Sequence, residues 1–591
     1  MKANIRHLVL AAVVGCLPAL SAQAAEGLPE SKALMQALID EINRSMTLQM
    51  EDLEKPYFIQ YLVDDSLMYH ITARYGDLTG SDRDRSRDFY SQVRVGSYEL
   101  DNTNFSGDGG RFFRFFGGSS GGGQASLPVE ENYDAIRQAV WWATDQDYKD
   151  AVETLTKKRA YMRDKKLEDR PSDFSKASIV QHTDPAVDVE LDRAAWEQRI
   201  RKISAHFNKY PRIQDSQVQL FVGLANRYVV NTEGTRLRTP DQAALLVITA
   251  ELQSDDGMRI SDGMDYFGHA PEDLPAVERV LADIDELAAS LTRVAQAPIL
   301  ERYTGPVLFD NLAAAQMFRT MLAEAAAGRV EPVGTQRRGL TGAGSLEKKL
   351  GQRILPPSFR IYDDPLAKEA PGTYLMGHYI YDDEGVSAER VELVQGGVLK
   401  NLVMSRMPTK KLSGTNGHGR RSPGDGTAQS AIANLFIEDT EGLSDEDLKA
   451  KLIEMAQDEG LEYGLRIGAV RTTGIGSSQS DMFAMIMRMQ QRGGQENVGD
   501  PIYSYKVYVE DGREELVRGC EFGQVKLRDL KHIEAAGKAQ AVYNYVGFGM
   551  GGTTPATSII APAVLFEELE LSKIEQEHDT RPILKSPLDR S

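Results

Sequence analysis

A change of hydrophobic pattern near residue 370 constrains the fold of this chain more than any other sequence feature. Before it, apolar residues recur at the spacing of amphipathic helices; beyond it, short apolar runs alternate with tight turns. This order predicts an α+β fold. We expect an N-terminal α/β region with a mixed sheet and long helices, followed by a C-terminal β-rich, barrel-like domain.

In the front half, the spacing of Leu34, Leu38, Ile42 and Met46 predicts a helix capped by Ser31. The apolar segments Tyr57–Val63 and Leu67–Tyr75 predict two paired strands. The run of alternating charge at Asp82–Asp88 predicts a solvated turn or edge. The pattern also predicts the helices Tyr133–Lys166, Val277–Val294 and Asn311–Ala327, and the strands Val218–Val230 and Pro306–Phe309.

In the back half, glycine-containing turns separate short strands. Val391–Val394 and Val398–Met404 predict one hairpin, and Tyr505–Val509 with its acidic turn predicts another. Ser444–Asp458 predicts a single capped helix that Gly460 closes.

The length of 591 residues predicts several domains. The formal net charge of −19 lacks the basic footprint of a nucleic-acid-binding protein, so we expect no nucleic-acid partner. We divide the chain into a signal peptide (1–25), an N-terminal α+β region (26–205) with a glycine-rich loop at 106–123, central strands and a long helix (206–300), a β-rich C-terminal domain (301–575) and a polar tail (576–591).

The first 25 residues have the pattern of a secretory signal peptide. Lys2 and Arg6 precede a short apolar core, and an Ala-x-Ala cleavage site ends near Ala25. We therefore expect a periplasmic or secreted protein; no later run reaches the ~20 apolar residues of a membrane-spanning helix. The segment around Cys16 also resembles a lipobox, which leaves a lipid-anchored protein as the alternative.

No local metal-binding motif is present in the sequence. The nine histidines are scattered, and no two lie within six residues of each other. Structural and catalytic zinc sites usually show closely spaced histidine or cysteine ligands. Cys520, which lies in a predicted strand, is expected to be a small buried apolar residue.

Several segments occur in an order that resembles the TldD/PmbA family of peptidases, over about residues 210–572. They are Asn231–Gly234, Ala297–Asp310 followed by an alanine-rich helix, Gly377–Val386 (GHYIYDDEGV), Gly397–Leu402, Ser413–Arg421 (SGTNGHGRR) and Val517–Gly519.

Within these segments, Asp382, Asp383, Glu384, Arg420 and Arg421 are candidate binding residues. Taken singly, the acidic residues would form a surface turn and the two arginines would be solvated.

In catalytic members of the family, a His-Glu-x-x-x-His motif and a later cysteine are understood to bind zinc, with the glutamate as general base. Ala323–Gly328 is similar to that motif. The resemblance implies that Glu324 keeps the glutamate position as a vestigial catalytic residue, while Ala323 and Gly328 replace the histidines. The loop Asn544–Thr557, which resembles the cysteine-bearing loop, contains no cysteine.

The missing ligands imply the PmbA branch, also called TldE, the non-catalytic partner in a heterodimeric peptidase that acts on unfolded peptides. We expect no intrinsic cofactor and zinc on a TldD-like homologue. Two alternatives remain open. One is an active metallopeptidase with a rebuilt metal site that uses His378 or His418 beside Asp382, Asp383 and Glu384. The other is a non-enzymatic envelope protein for binding or assembly.

Overall fold

The computed structural model describes residues 31–50, 52–106, 123–187, 190–334, 346–370, 372–421, 427–472, 497–546, 548–549, 552–553, 555–575 and 584–589. The predicted signal peptide with Cys16, and most of the glycine-rich loop at 106–123, lie outside these ranges. The α-helices are α1 (Lys32–Ser45), α2 (Tyr133–Lys165), α3 (Arg193–Ala205), α4 (Val277–Gln296), α5 (Asn311–Leu322) and α6 (Asp445–Asp458). No helix of the described residues combines the length and the apolar character that a membrane span requires.

The strands of the front half are β1 (Pro56–Arg74), β2 (Asp77–Val95), β3 (Gly123–Ser126), β4 (Gln181–Thr183), β5 (Asp215–Asn231), β6 (Arg236–Gln253) and β7 (Arg259–Gly268). They form one seven-stranded sheet in the order β3-β2-β1-β5-β6-β4, with β7 paired to β6. All neighbours are antiparallel except β4 and β6. The sheet takes strands from both sides of residue 205.

Helices cover one face of this first sheet, because strand side chains alternate between faces. Odd-numbered residues of β1 and even-numbered residues in the first half of β5, such as Leu67 and Leu220, pack against α3 and α4. Near the other end of the sheet, Ile59, Tyr61 and Val63 pack against α1 and α2. The opposite face carries polar residues, among them Asp64 of β1.

Later strands include β8 (Arg302–Phe309), β9 (Phe359–Asp363), β10 (Glu369–Ala370), β11 (Thr373–Tyr374), β12 (Val391–Gln395), β13 (Val398–Leu399), β14 (Gly419–Arg420), β15 (Gln429–Ser430) and β16 (Asn434–Asp439). The others are β17 (Tyr463–Val470), β18 (Pro501–Tyr508), β19 (Glu514–Val517), β20 (Cys520–Phe522), β21 (Ile533–Tyr545), β22 (Phe548–Gly549), β23 (Gly552–Thr553) and β24 (Thr557–Lys573).

Eleven of these strands form a second sheet with both faces covered. Its order is β13-β12-β9-β16-β24-β8-β17-β18-β19, and β20 and β21 also pair with β24. Val307 and Phe309 point to the core under α5, whereas Leu308 points to the opposite core under α6. The α+β class is confirmed, but the barrel-like expectation is wrong: within the described residues the sheet stays open, from β13 to β19.

The predicted paired strands Tyr57–Val63 and Leu67–Tyr75 form a single strand, and Asp82–Asp88 lies inside the strand paired with it. Only the edge alternative for Asp82–Asp88 is correct. The charged residues do not interrupt the strands because they pair between the two strands. Asp65 lies opposite Arg87, and Oδ2 of Asp65 is 2.9 Å from Nη2 of Arg87. A partnered charge can be buried in a strand that a lone charge would interrupt.

The helix predicted to Ala327 ends at Leu322. Beyond it, Ala327 forms a β-bridge with Val403, which draws the chain away from the helix axis. The other predicted helices and both C-terminal hairpins are present. The second strand of the first hairpin, predicted to end at Met404, ends at Leu399.

Candidate functional site

The segment that resembles the zinc motif lies just after α5, where the chain leaves the helix in a turn. Glu324 is on the surface with 61% of its side chain exposed, and the nearest guanidinium, of Arg329, is 3.9 Å away. Ala323 is partly buried against the main core of the second sheet. The Glu324 carboxylate is therefore a group on the protein surface.

Gly328 is held tightly on three sides. Its N–H donates to the carbonyl oxygen of Val403 at 2.9 Å, and its carbonyl accepts from the Ser430 hydroxyl at 2.7 Å. A Cβ atom added here would lie 2.1 Å from Sδ of Met404. Because real Cβ contacts are much longer, no side chain fits at this position without moving its neighbours. The residues present at this helix end therefore do not fit a zinc site.

The acidic segment Asp382–Glu384 is not the solvated turn that the isolated residues suggest. The three residues are 4%, 7% and 3% exposed, respectively, and Arg421 is also buried. They lie where residues 377–421 meet the polar face of the first sheet. Carboxylates become buried when arginines or backbone N–H groups replace their water, and the contacts below show both.

Four charged residues alternate in sign across this contact, and we call them the charge ring: Asp64, Arg227, Asp383 and Arg421. Arg227 donates to Asp64 Oδ1 at 2.8 Å and to Asp383 Oδ1 at 2.6 Å. The Arg421 guanidinium pairs with Asp64, and its backbone N–H donates to Asp383 Oδ2 at 2.6 Å. Burial opposes ionisation of Asp64, but the charges of Arg227 and Arg421 outweigh it and lower the pKa of this carboxyl.

Further contacts fasten the charge ring to its surroundings. The Gln60 side chain of β1 donates to the carbonyl oxygen of Asp383 at 3.0 Å, and the Arg421 guanidinium stacks on Tyr90, 3.8 Å from the ring centre. The adjacent cavity has room for about one water molecule. The ring thus joins residues 377–421 to the first sheet, and the binding role of Asp383 and Arg421 stays a prediction.

Asp382 and Glu384 flank the charge ring and are held mainly by backbone donors. Asp382 accepts N–H groups of Glu384 at 3.0 Å, Val386 at 2.9 Å and Gly419 at 2.8 Å. Glu384 accepts the backbone N–H of Arg406 at 2.7 Å. Burial and then the charge of Glu384 raise the pKa of Asp382, and burial also raises the pKa of Glu384.

Two further arginines near the charge ring, Arg420 and Arg406, bind backbone carbonyl groups rather than solvent. Arg420 donates to the carbonyl oxygens of Ala556 at 2.6 Å and Ile432 at 3.2 Å, which ties it to the loop Asn544–Thr557. Arg406, which the sequence did not single out, is fully buried. It donates to the carbonyl of Ser175 at 2.7 and 2.9 Å and pairs with Glu233 at 2.8 Å.

Sequence reasoning also missed Asp64 and Arg227. Each is a charge inside a strongly apolar strand, and this is the signal that could have indicated them, because a charge in such a strand needs a partner. The sequence could not supply the partner itself.

The histidines considered for a rebuilt metal site are already engaged. His418 is fully buried, with Nε2 3.0 Å from Asp363 Oδ1 and Nδ1 2.9 Å from the carbonyl oxygen of Asn416. His378 bonds to the carbonyl of Pro365 at 2.9 Å, and burial lowers its pKa. Over the described residues, no three histidine, cysteine, aspartate or glutamate side chains converge as a metal site would need.

Cys520 is buried in β20, in agreement with the prediction. Burial raises the pKa of its thiol to about 11, so that the thiolate needed for metal binding or nucleophilic attack is disfavoured.

A separate polar group joins the edge strand β7 to the second sheet. Tyr503 donates to Asp262 at 2.5 Å, and Arg471 donates to the Ser261 hydroxyl at 2.7 Å. Asp265 of β7 is exposed, and the surrounding protein and then the charge of Asp262 raise its pKa to about 7. This group is also absent from the sequence-based predictions, because nothing in the spacing of its residues indicates it.

Comparison with known proteins gives a sequence match over part of the chain and a structural match over most of it. Residues 302–470 match the family model of the PmbA/TldA metallopeptidase C-terminal domain. A metalloprotease of Archaeoglobus fulgidus is 37% identical over 99 residues, 17% of this chain and 22% of that protein. One of Methanothermobacter thermautotrophicus is 39% identical over 87 residues, 15% of this chain and 18% of that protein. The chain thus spans about a fifth of the length of the curated relatives it matches.

Among solved structures, TldE of Thermococcus kodakarensis superimposes with a TM-score of 0.55 at 14% identity, covering 91% of this chain and 100% of that chain. At this identity the likeness concerns the fold.

Proposed function

We propose that this chain belongs to the TldD/PmbA family, whose C-terminal domain model residues 302–470 match, and that it is the exported, non-catalytic partner subunit of a TldD/PmbA-type zinc peptidase. In this proposal a zinc-bearing homologue cuts unfolded peptides, and the present chain completes the complex. The likeness to a TldE fold supports the choice of branch.

One observation carries the proposal: the helix end that would hold the metal offers no ligand at Ala323 or Gly328, and a side chain at Gly328 would have to displace Met404. Catalytic zinc needs three protein ligands and an open position. Ala323 has no donor atom, and a side chain at Gly328 would collide with Met404. Glu324 alone can neither hold zinc nor act as a general base on a zinc-bound water.

The rebuilt-site alternative, an active metallopeptidase using His378 or His418, receives less support. Each histidine is committed to a neighbouring acceptor, and His418 is fully buried beside Asp363. A metal at His418 would have to displace that pairing in a buried environment, which is costly.

The proposal places the protein in the periplasm or outside the cell, because of the signal-peptide pattern of residues 1–25, with a lipid anchor at Cys16 as the alternative. Its partner must then be exported too. Strand β7 pairs only with β6 among the described strands, so its other edge is suited to an extended peptide that adds through main-chain hydrogen bonds.

The test combines metal analysis with co-purification. The mature chain alone should contain less than about 0.2 zinc per molecule and hydrolyse no peptide, because it lacks a ligand set. From native envelope it should co-purify with a zinc-bearing homologue and survive gel filtration at micromolar concentration, since stable interfaces usually bury well over ~1,500 Å². A homologue that is fully active without this chain, or zinc bound stoichiometrically to this chain alone, would contradict the proposal.

A further inference from the structure

Two buried carboxyl groups, on either side of the charge ring residue Asp383, have no cationic partner among the described residues. Neither Asp382 nor Glu384 forms an ion pair with any described residue. Their exposures are only 4% and 3%. An ionised carboxylate buried without a counter-ion is strongly disfavoured unless hydrogen bonds replace its water.

The hydrogen bonds distinguish the two groups. Three backbone N–H groups point at the Asp382 carboxylate, a set that favours its ionised form. Glu384 accepts only one, from Arg406. Gly419 also packs so closely that a Cβ there would lie 2.2 Å from Oε2 of Glu384, which keeps water from that side. Of the two, Glu384 is the group better placed to hold a proton.

The nearby arginines do not neutralise Glu384 directly. The Arg406 guanidinium is directed to Ser175 and Glu233, and that of Arg94 pairs with Asp101 at 2.7 Å. The other titratable groups around the pair are Asp383 and Tyr379, with Arg420 and Asp363 near Tyr379. Both arginine charges lower the pKa of Glu384, but burial outweighs them and the pKa is raised.

The backbone groups that hold the pair also position the contact with the first sheet. Asp383, between the two carboxyls, binds Arg227 and receives the Gln60 amide. The N–H of Asp383 donates to the carbonyl of Gly419, whose own N–H donates to Asp382. A displacement of Glu384 would therefore be transmitted to Asp383, Arg406 and Arg421.

We propose that Asp382 and Glu384 hold one proton between them, and that loss of this proton loosens the contact between residues 377–421 and the first sheet. The direction follows from linkage. A carboxyl whose pKa is higher in the folded than in the unfolded chain contributes its full stability below the ordinary carboxyl pKa. That contribution is lost as the pH rises through the raised value. The contact therefore weakens towards alkaline pH, and this inference does not depend on the proposed function.

The test compares wild type with Glu384→Gln, a neutral isostere whose amide oxygen can still accept the Arg406 N–H. Amide hydrogen exchange of a peptide covering 377–390 is measured from pH 6 to 9 and divided by that of a peptide from α6, which removes the intrinsic pH effect. In wild type the ratio should rise towards about tenfold per pH unit above the pKa of the pair. In Glu384→Gln it should stay constant, and in the control Glu454→Gln, an exposed residue of α6, it should follow wild type.

A ratio that is constant in wild type, or that rises equally in Glu384→Gln, would overturn the proposal. Should Glu384→Gln not fold, infrared titration provides a second measurement. It is made in an Asp265→Asn background, because Asp265 has a pKa of about 7. The protonated carboxyl band should disappear over the pH range in which exchange increases. Absence of that band at pH 6 would refute the shared proton.

Discussion

Asp383→Asn tests whether the charge ring joins two parts of the chain or binds a ligand. The change keeps the size of the side chain but removes its charge, and it turns an amide N–H₂ towards either Arg227 or the backbone N–H of Arg421. Both are donors, so one of the two contacts, each 2.6 Å long, is lost. If the ring is structural, this single change should destabilise the folded protein.

The magnitude follows from burial. Breaking a buried ion pair by removing one partner costs about 3–5 kcal/mol. Arg227 retains Asp64 as a partner, and its side chain is 31% exposed, so solvent screens part of the loss and about 2–3 kcal/mol remains. With a urea m-value of about 2–3 kcal/mol/M, the unfolding midpoint should fall by about 1 M.

The assay is urea unfolding followed by tryptophan fluorescence, with Asp52→Asn as the matched control. Asp52 is exposed, and its change should alter the free energy of unfolding by less than about 0.5 kcal/mol. Arg227→Gln combined with Asp383→Asn should cost less than the sum of the single changes by about 1 kcal/mol or more. A stable Asp383→Asn that no longer binds peptide would refute the structural role and restore the ligand-binding interpretation.

Three further predictions concern the metal-site segment, the thiol and the N-terminus. Ala323→His with Gly328→His should yield neither stoichiometric zinc nor peptidase activity, because two histidines leave the third ligand missing. The Gly328 change should also cost about 1–3 kcal/mol by overpacking. Gly414→Ala is the control for stability, since an added Cβ there has no neighbour within 4 Å. Robust peptidase activity of the double-histidine variant would show that the third ligand is already present and that the comparison of Asn544–Thr557 with the cysteine-bearing loop is wrong. The Cys520 thiol should react with a disulfide reagent at pH 8 only on unfolding, because it is buried and its pKa is about 11; rapid labelling of native protein would contradict this. Intact-mass measurement of periplasmic protein should show loss of residues 1 to about 25; a full-length mass would contradict export, and an added lipid mass would select the lipoprotein alternative.

For the segment 377–421, the sequence indicated which residues to consider, and the structure showed what surrounds them. Its resemblance to family segments could be recognised from the amino-acid sequence, and this resemblance made Asp382, Asp383 and Glu384 candidate residues. Their surroundings were not visible. The partners Asp64 and Arg227 lie 357 residues from Arg421 and 156 residues from Asp383, respectively. No local pattern reports which distant strand will face a loop, so both the burial of the acids and their roles required the fold.

The sequence by itself determined the elements whose cause is local. The amphipathic spacing of α4, the capped helix α6 and the turn residues of the hairpins encode structure within a few residues, because side-chain direction repeats with a fixed period. The sequence alone also shows that Ala323 and Gly328 cannot supply zinc ligands, because neither residue has a donor atom in its side chain. The tertiary structure decided the rest: the single strand through Asp64 and Asp65, the open second sheet, the lack of space at Gly328, and the burial of Asp382 and Glu384 without an ion-pair partner among the described residues. Each depends on which groups from distant parts of the chain meet, and the energy of a buried charge is set by those neighbours rather than by its place in the sequence.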